Sequence, residues 1–163
     1  MDNVCIIGCG LIGKKRVKAL GQSGCLIACA DVDINAAKSL AGASNARVYK
    51  DSESLLKLPQ VDIVIVPTLH DSLAQISLAA IMSGKHVLVE KPAARFACEL
   101  LPVIKASQKK GVKVHVGFNH RYHRSLLKAR EIIDLGELGD LMFIRARYGH
   151  GGRVGYDQEW RAK

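Results

Sequence analysis

Aromatic residues are scarce in this sequence: they make up 5% of the chain, which contains a single tryptophan. Proteins that bind single-stranded nucleic acid usually present aromatic side chains on which bases stack, so this class is disfavoured. Long apolar runs are also missing, because none approaches the roughly 20 residues that a membrane-spanning helix needs. We therefore expect neither a nucleic-acid partner nor a membrane partner.

Cysteine motifs are missing as well. The five cysteines are an odd number, and the spacing that occurs twice, Cys5 to Cys9 and Cys25 to Cys29, is not that of a redox or zinc motif. Cysteines in or beside apolar runs act as small hydrophobic residues. No basic region with a cleavage site opens the chain, so we expect no secretory signal. These features predict reduced thiols and a cytoplasmic protein.

Acidic residues are outnumbered, since 24 Lys and Arg against 15 Asp and Glu give a net charge of +9. A basic balance can indicate nucleic-acid binding. Here the basic residues are spread along predicted helices, as at Lys14, Lys15 and Arg16, which favours a solvated helix face. His120 and His123 could share a helix face, but no third ligand has metal spacing, so no metal site is expected.

Strand-like and helical stretches alternate along the chain, and this order predicts an α/β fold with a doubly wound, mainly parallel sheet. The run at 61–66 is filled with β-branched residues, as in a buried central strand. The predicted strands cover 3–7, 26–30, 47–49, 61–66, 87–89, 112–116 and 141–148, and the predicted helices 11–22, 35–40, 73 to about 83, 97–108 and 124–135.

The first predicted strand runs into Gly8-x-Gly10-x-x-Gly13. Gly8 permits a tight turn, Gly10 lets the backbone approach a pyrophosphate, and Gly13 lets the following helix pack closely. The amides at the start of that helix would face the anion, which makes Leu11 and Ile12 candidate contacts. Three glycines also occur in ordinary turns, but the flanking strand and helix favour dinucleotide binding.

An acidic residue stands at the distance that this interpretation needs. Asp31 ends the second predicted strand, 21 positions after Gly10, where its carboxylate can accept hydrogen bonds from an adenosine ribose. The same carboxylate would repel a 2′-phosphate, and no arginine follows it immediately. NAD is therefore the favoured cofactor, with NADP as the alternative.

Other polar residues follow the remaining predicted strands, and the carboxyl ends of parallel strands form one ligand-binding edge. Lys91 comes directly after a buried strand and before a proline, which restricts its backbone. Its ammonium can hydrogen-bond a substrate hydroxyl or stabilise developing negative charge. Further candidates at this edge are Pro67, Thr68, His70, Glu90 and Asn119.

Three segments together resemble the Gfo/Idh/MocA oxidoreductase family. They are the glycine fingerprint at 8–13, the run Ser-Gly-Lys-His-Val-Leu-Val-Glu-Lys-Pro at 83–92, and Val-Gly-Phe-Asn at 116–119. The Glu-Lys-Pro motif is the most specific of them, and the resemblance covers essentially the whole chain. It implies an N-terminal Rossmann domain followed by a C-terminal α/β domain whose open sheet carries the substrate.

The resemblance also implies an activity, namely hydride transfer between nicotinamide and a sugar, polyol or sugar derivative. Lys91 would be the active-site lysine, and the Lys91–Pro92 peptide is often cis in such proteins. Asn119 would lie near the nicotinamide or the substrate, and Trp160 and Arg161 resemble an element that reaches back toward the cofactor. A homo-oligomer formed through the second domain is a further expectation.

Two departures from the family pattern matter. The Asp and His that the family usually supplies from its second domain match no position in 1–163, and Leu73 and His70 stand where relatives often carry His and Asn. A non-catalytic NAD(H)-binding module or sensor therefore stays open beside the enzyme. We predict a dinucleotide-binding domain over 1–120, and over 121–163 a connecting helix with the first strand of a truncated second domain.

Overall fold

The protein is described by a computed structural model over residues 1–42, 44–149 and 154–158. The chain divides into two compact units, the first spanning Met1–Asn119 and the second beginning at His120. In the first unit, strands and helices alternate along the chain as β1 (Asp2–Ile7), α1 (Leu11–Leu20), β2 (Gly24–Ala30), α2 (Ile34–Ala41), β3 (Arg47–Tyr49), α3 (Ser52–Leu56), β4 (Ile63–Val66), α4 (Leu73–Met82), β5 (His86–Val89), α5 (Leu100–Lys110) and β6 (Val114–Val116).

The six strands form one sheet in the order β3-β2-β1-β4-β5-β6, and every pair of neighbours is parallel. The chain moves outward from β1 to β3, then crosses back and moves outward again from β4 to β6. The order thus reverses between β1 and β4, which is where such sheets bind ligands. This confirms the predicted doubly wound fold.

Helices cover both faces of the sheet. On one face α1 and α2 pack against Val4, Ile6 and Ile65, with Val17 and Leu20 contributed by α1. On the other face α3, α4 and α5 cover alternate residues of the central strands, including Cys5, Ile7, Val64, Val66, Val87 and Val89. Burial on both faces explains why residues 4–7 of β1 and all of β4 are apolar.

Most predicted elements differ from the structure by one to three residues at an end, and two further differences have clear local causes. The helix α3 was not predicted, because five residues are too few to show a helical period. Its start is marked by Asp51, whose carboxylate accepts a hydrogen bond from the Ser54 amide at 2.7 Å. The central strand was expected from residue 61, but β4 begins at Ile63, since the Val61 amide donates to the Leu58 carbonyl in a turn.

The second unit contains the helix α6 (Arg124–Asp134), followed by Gly136 with φ of 74°. The predicted strand at 141–148 is wrong: the structure gives these residues no strand. Met142, Phe143 and Ile144 expose 78% or more of their surface. An apolar segment becomes a strand only when another strand completes its hydrogen bonds, and the described residues offer it none.

Within the described residues, no helix is long and apolar enough to cross a membrane. The five cysteines are all free thiols, with Cys5, Cys9 and Cys29 buried and Cys25 and Cys98 exposed. Burial raises the pKa of the Cys5 thiol to about 12, so that this side chain stays neutral in the core.

A buried lysine holds a loop at the amino-terminal edge of the sheet by hydrogen bonds. Lys85 is 7% exposed, and its ammonium donates to the carbonyl oxygens of Leu58 at 2.9 Å and Pro59 at 3.2 Å. These carbonyls follow α3, so a lysine that precedes β5 holds the loop between α3 and β4. Charge-assisted bonds of this kind are stronger than neutral ones.

Replacing Lys85 by Met should therefore destabilise the fold by about 2 kcal/mol, because both carbonyls lose a charged donor while the aliphatic stem is kept. The matched control is Lys57→Ala, which removes the fully exposed Lys57–Glu53 pair and should leave stability unchanged. Urea unfolding followed by circular dichroism measures both variants. Equal midpoints for the two would show that Lys85 is only a solvated lysine.

Candidate cofactor site

The glycine turn after β1 is built by contacts that leave no room for side chains. Gly8 has φ of 110°, and a Cβ there would lie 3.0 Å from the Pro67 carbonyl group and from the Thr68 methyl. A Cβ on Gly13 would overlap the carbonyl oxygen of Gly8. The first glycine therefore permits the turn and the third permits the close helix packing, as their spacing indicates.

Gly10 has a different environment. It is exposed, it precedes α1, and no atom lies within 4 Å of the position that its Cβ would take. Leu11 and Ile12 begin α1, where backbone amides have no partner inside the helix. An open backbone beside unpaired helix amides is a suitable surface for a pyrophosphate.

Asp31 stands beside this turn. One carboxylate oxygen accepts a hydrogen bond from the Cys9 amide at 2.6 Å, and the other accepts from the Asp33 amide at 2.9 Å. The side chain thus braces the glycine turn as well as marking the end of β2. Each carboxylate oxygen can accept more than one bond, so the partly exposed group retains capacity for a ribose hydroxyl.

The residues after β4 contact the glycine turn. Pro67 and Thr68 lie against Gly8, and the Thr68 hydroxyl is buried without a hydrogen-bond partner in the described structure. A buried orphan hydroxyl next to a ligand-binding loop needs an explanation, and a bound ligand or water supplies one. His70 is half-buried on the same loop, while Leu73 is completely buried as a core residue of α4.

Lys91 lies in a tight turn that follows β5. The Lys91–Pro92 peptide is cis, as the family resemblance implies, and the Ala93 amide donates to the Glu90 carbonyl at 2.9 Å. Ala93 has φ of 73° although it is not glycine, and such outliers cluster at functional sites. Lys91 itself is exposed at the carboxyl edge of the sheet.

Glu90 is 9% exposed and faces α1, where its carboxylate accepts a hydrogen bond from Arg16 Nε at 2.5 Å and forms an ion pair with Arg16 Nη2. This orientation was not expected from the sequence. The candidate cofactor contact at Glu90 remains a prediction, but the carboxylate is already engaged by a guanidinium.

Asn119 ends the first unit, after β6. It is exposed, and its amide donates to the Gly117 carbonyl at 3.0 Å. Trp160 and Arg161, the two candidates furthest along the chain, lie outside the described residues. The carboxyl edge thus brings together Gly8–Gly13, Asp31, Pro67–Thr68, Lys91 and Asn119, each on the loop after a different strand.

Two buried thiols, Cys9 in the glycine turn and Cys29 on β2, lie close together. Cys9 donates to the Ala30 carbonyl at 3.4 Å, and Cys29 donates to the Ala37 carbonyl at 3.4 Å. A hydrogen bond with Cys29, together with burial, raises the pKa of the Cys9 thiol. Both side chains are buried among apolar residues, in agreement with their positions in apolar runs.

The structure also has a groove away from this edge. A groove of about 860 Å³ lies at the opposite, amino-terminal edge of the sheet and is lined by residues such as Asp2, Gly24, Asp62 and Lys113. Among the described residues, no group of three His, Cys, Asp or Glu side chains is placed to hold a metal ion.

A glycine turn packed between β1 and α1, an acid at the end of β2 and a reversal of strand order beside them define a dinucleotide-binding Rossmann domain. The sequence model of the GFO_IDH_MocA oxidoreductase family, described as an NAD-binding Rossmann fold, matches residues 3–118. The chain belongs to this family, and NAD is the cofactor of its Rossmann domain.

Curated relatives include several inositol dehydrogenases. The inositol 2-dehydrogenase of Salmonella typhimurium strain LT2 is 32% identical over 156 residues, which are 91% of this chain and 46% of that protein. Inositol 2-dehydrogenase 2 of Saccharopolyspora erythraea is 33% identical over 155 residues, covering 92% and 46%. The chain therefore spans about half the length of the curated relatives that it matches.

Solved structures show the same fold. The myo-inositol dehydrogenase of Lactobacillus casei, in complex with NAD(H) and myo-inositol, has a TM-score of 0.81 at 28% identity, over 85% of this chain and 43% of that one. The WlbA dehydrogenase of Chromobacterium violaceum, in complex with NADH and UDP-GlcNAcA, has a TM-score of 0.80 at 26% identity, over 85% and 41%.

One residue at this edge escaped the sequence analysis. Arg16 belongs to a basic run on α1 and was interpreted as part of a solvated face, yet it is half-buried against Glu90. Its partner could not be identified from the sequence, because the pairing joins positions 74 residues apart. Helical phase was the available signal, since Arg16 is three residues after the buried Gly13 and four before Leu20, whereas Lys14 and Lys15 are exposed.

Two glycine variants should separate packing from ligand access. Gly13→Ala should lower stability by about 3 kcal/mol, because its methyl meets the backbone of Gly8. Gly10→Ala meets no neighbour and should cost at most about 1 kcal/mol. Its methyl should instead weaken NADH binding about tenfold by obstructing the pyrophosphate.

Thermal unfolding and fluorescence titration with NADH measure these effects. Gly84→Ala, in a surface turn far along the chain from the fingerprint, serves as the control for NADH affinity. Unchanged NADH affinity in Gly10→Ala would remove that glycine from the cofactor site.

Proposed function

We propose that this chain is the cofactor-binding part of an NAD-dependent oxidoreductase that moves hydride between nicotinamide and a hydroxyl-bearing carbon of a sugar, polyol or sugar derivative. The observation that carries the proposal is the exposed Lys91, which directly follows β5 at the same carboxyl edge of the sheet as the glycine fingerprint.

The residues at this edge fit a dinucleotide. Gly8–Gly13 and the start of α1 would hold the pyrophosphate, and Asp31 would bind the adenosine ribose. Pro67, Thr68 and His70 follow the strand next to β1, on the way toward Lys91, and would line the nicotinamide half together with Asn119. The buried Thr68 hydroxyl supports this assignment, because no group among the described residues satisfies it and a ligand polar atom could.

The nicotinamide ring, when bound, supplies the hydride acceptor or donor. Lys91 would direct its ammonium at the substrate hydroxyl oxygen and stabilise the negative charge that develops there as the carbon–hydrogen bond breaks. The hydroxyl proton then passes to a base, the role that the family resemblance gives to a histidine. In this proposal Lys91 orients the substrate hydroxyl and stabilises the developing charge.

The substrate class rests on the relatives. Several are inositol dehydrogenases, and one structural relative was solved with a nucleotide sugar derivative, UDP-GlcNAcA. Inositol and the sugar of UDP-GlcNAcA are both polyhydroxylated rings, and the group that reacts in such a ring can be a secondary alcohol. A polyol or sugar is therefore the substrate proposed here. The second candidate is a non-catalytic NAD(H)-binding module, because the glycine turn and Asp31 can hold a dinucleotide without any reaction taking place.

The remaining proposals concern location and assembly. Five free cysteines support a cytoplasmic protein, since thiols stay reduced there. Exposed apolar residues at Met142, Phe143 and Ile144 support self-association through the second unit. We retain 1–120 as the dinucleotide-binding domain and 121–163 as the connecting segment, and we propose neither a nucleic-acid nor a membrane partner.

The ribose assignment predicts a change in cofactor preference. Asp31→Asn keeps the size of the side chain and an acceptor for the Cys9 amide, but removes the charge that repels a 2′-phosphate. The ratio of NADPH to NADH dissociation constants should fall about tenfold, mainly through tighter NADPH binding. Fluorescence titrations measure the ratio, with Asp33→Asn as the control. An unchanged ratio would place the ribose elsewhere.

The proposed role of Lys91 predicts that removing its ammonium lowers the turnover rate and leaves the affinity for NADH almost unchanged. If the chain reduces NAD⁺ with myo-inositol or another polyol, Lys91→Ala should reduce the rate at least about a hundredfold, because the alkoxide loses its cation. NADH affinity should change little. Absorbance at the reduced-nicotinamide band follows turnover, and Lys57→Ala is the control. NADH binding without polyol turnover by the unmodified chain supports the non-catalytic module instead.

A further inference from the structure

The ion pair between Arg16 and Glu90 joins the two halves of the candidate site. Arg16 lies three residues after Gly13, on the first turns of α1, and Glu90 immediately precedes Lys91. The Nε–Oε1 distance is 2.5 Å, and Nη2 contacts the same carboxylate oxygen. A side chain from the pyrophosphate-binding helix thus holds the residue before the active-site lysine.

The Arg16–Glu90 ion pair is largely buried. The Arg16 and Glu90 side chains are 24% and 12% exposed, so water screens them poorly and each charge depends on the other. Four other ion pairs of the described residues differ, because they join residues three or four positions apart and at least one partner of each is more than half exposed. They are Lys57–Glu53, Arg95–Glu99, Lys128–Glu131 and Arg130–Asp134.

The end of β6 packs onto the same pair. A Cβ on Gly117 would lie 2.9 Å from Arg16 Nη2 and 3.1 Å from Glu90 Oε1. The Gly117 amide donates to the Val89 carbonyl at 2.8 Å, which keeps this backbone next to β5. The pair is therefore enclosed by α1, the end of β5 and the end of β6, and Glu90 has little freedom to turn.

From these contacts we propose that Arg16 is a positioning residue for Lys91. Its guanidinium fixes the Glu90 side chain. The Glu90 carbonyl oxygen accepts the hydrogen bond from the Ala93 amide, and this bond closes the turn that carries Lys91. The turn is thereby held against the helix that receives the pyrophosphate. The inference rests on the proposed function only for the part that Lys91 plays in the reaction.

The test compares four variants of the whole chain. Arg16→Ala removes the pair, and Arg16→Lys keeps the charge but loses the planar fork that allows two contacts with a carboxylate. Lys57→Ala removes an exposed pair as the matched control. Val61→Ala truncates a buried core residue away from the site and serves as the control for general loss of stability.

Amide hydrogen exchange at Ala93 is the first measurement, since this amide closes the turn. The Ala93 amide hydrogen should exchange at least about tenfold faster in Arg16→Ala than in Val61→Ala. Core amides such as that of Val64 should exchange at rates set by global stability in both variants. Arg16→Lys should give an intermediate rate. Equal Ala93 exchange in Arg16→Ala and Val61→Ala would overturn the proposal.

The second measurement reports on Lys91 itself. After reductive methylation with ¹³C-formaldehyde, the Lys91 resonance is identified by its absence from Lys91→Arg. Added NADH should shift this resonance in the unmodified chain and in Lys57→Ala, and should shift it less than half as much in Arg16→Ala, with partial recovery in Arg16→Lys. An equal shift in Arg16→Ala would mean that Arg16 does not position Lys91.

The two proposals fail in different ways. If the unmodified chain does not bind NADH, the proposed function fails, but the Ala93 exchange rates still decide whether Arg16 holds the turn. If Arg16→Ala does not fold, Arg16→Lys and Glu90→Gln carry the same comparison. If Arg16→Ala loses NADH affinity more than about tenfold with normal Ala93 exchange, Arg16 is a cofactor contact and the positioning role is wrong.

Discussion

The close approach of α1 to the end of β1 is the constraint on which this site depends. A side chain at Gly13 would overlap the Gly8 carbonyl, so the helix can start beside the strand only because both positions lack a Cβ. This contact directs the first amides of α1 toward the sheet edge, where an anion can bind them. The strand end, the open Gly10 and the helix start form one surface as a result.

Other elements reinforce that contact from several directions. Asp31 holds the Cys9 amide from the end of β2, and the Pro67–Thr68 backbone packs against Gly8 from the end of β4. The Arg16–Glu90 pair connects α1 to the turn after β5. Because these contacts converge on the glycine turn and the start of α1, this turn and the turn that carries Lys91 are parts of one packed arrangement.

Much of the fold was predictable because its signals are local. Strands buried on both faces are apolar along their length, and the glycines have a spacing with a steric meaning. The errors also have local causes. Five residues of α3 show no period, and the apolar run at 141–148 has the composition of a strand but no neighbour to pair with among the described residues.

The sequence alone determined the order of the six strands in the sheet domain, the glycine turn and the acid at 31, since each depends on neighbours or fixed spacing along the chain. Only the tertiary structure decided that Asp31 braces the turn, that Thr68 has an orphan hydroxyl, and that Arg16 pairs with Glu90. Those contacts join residues far apart in sequence, and they form only once the parallel sheet brings the strand ends together.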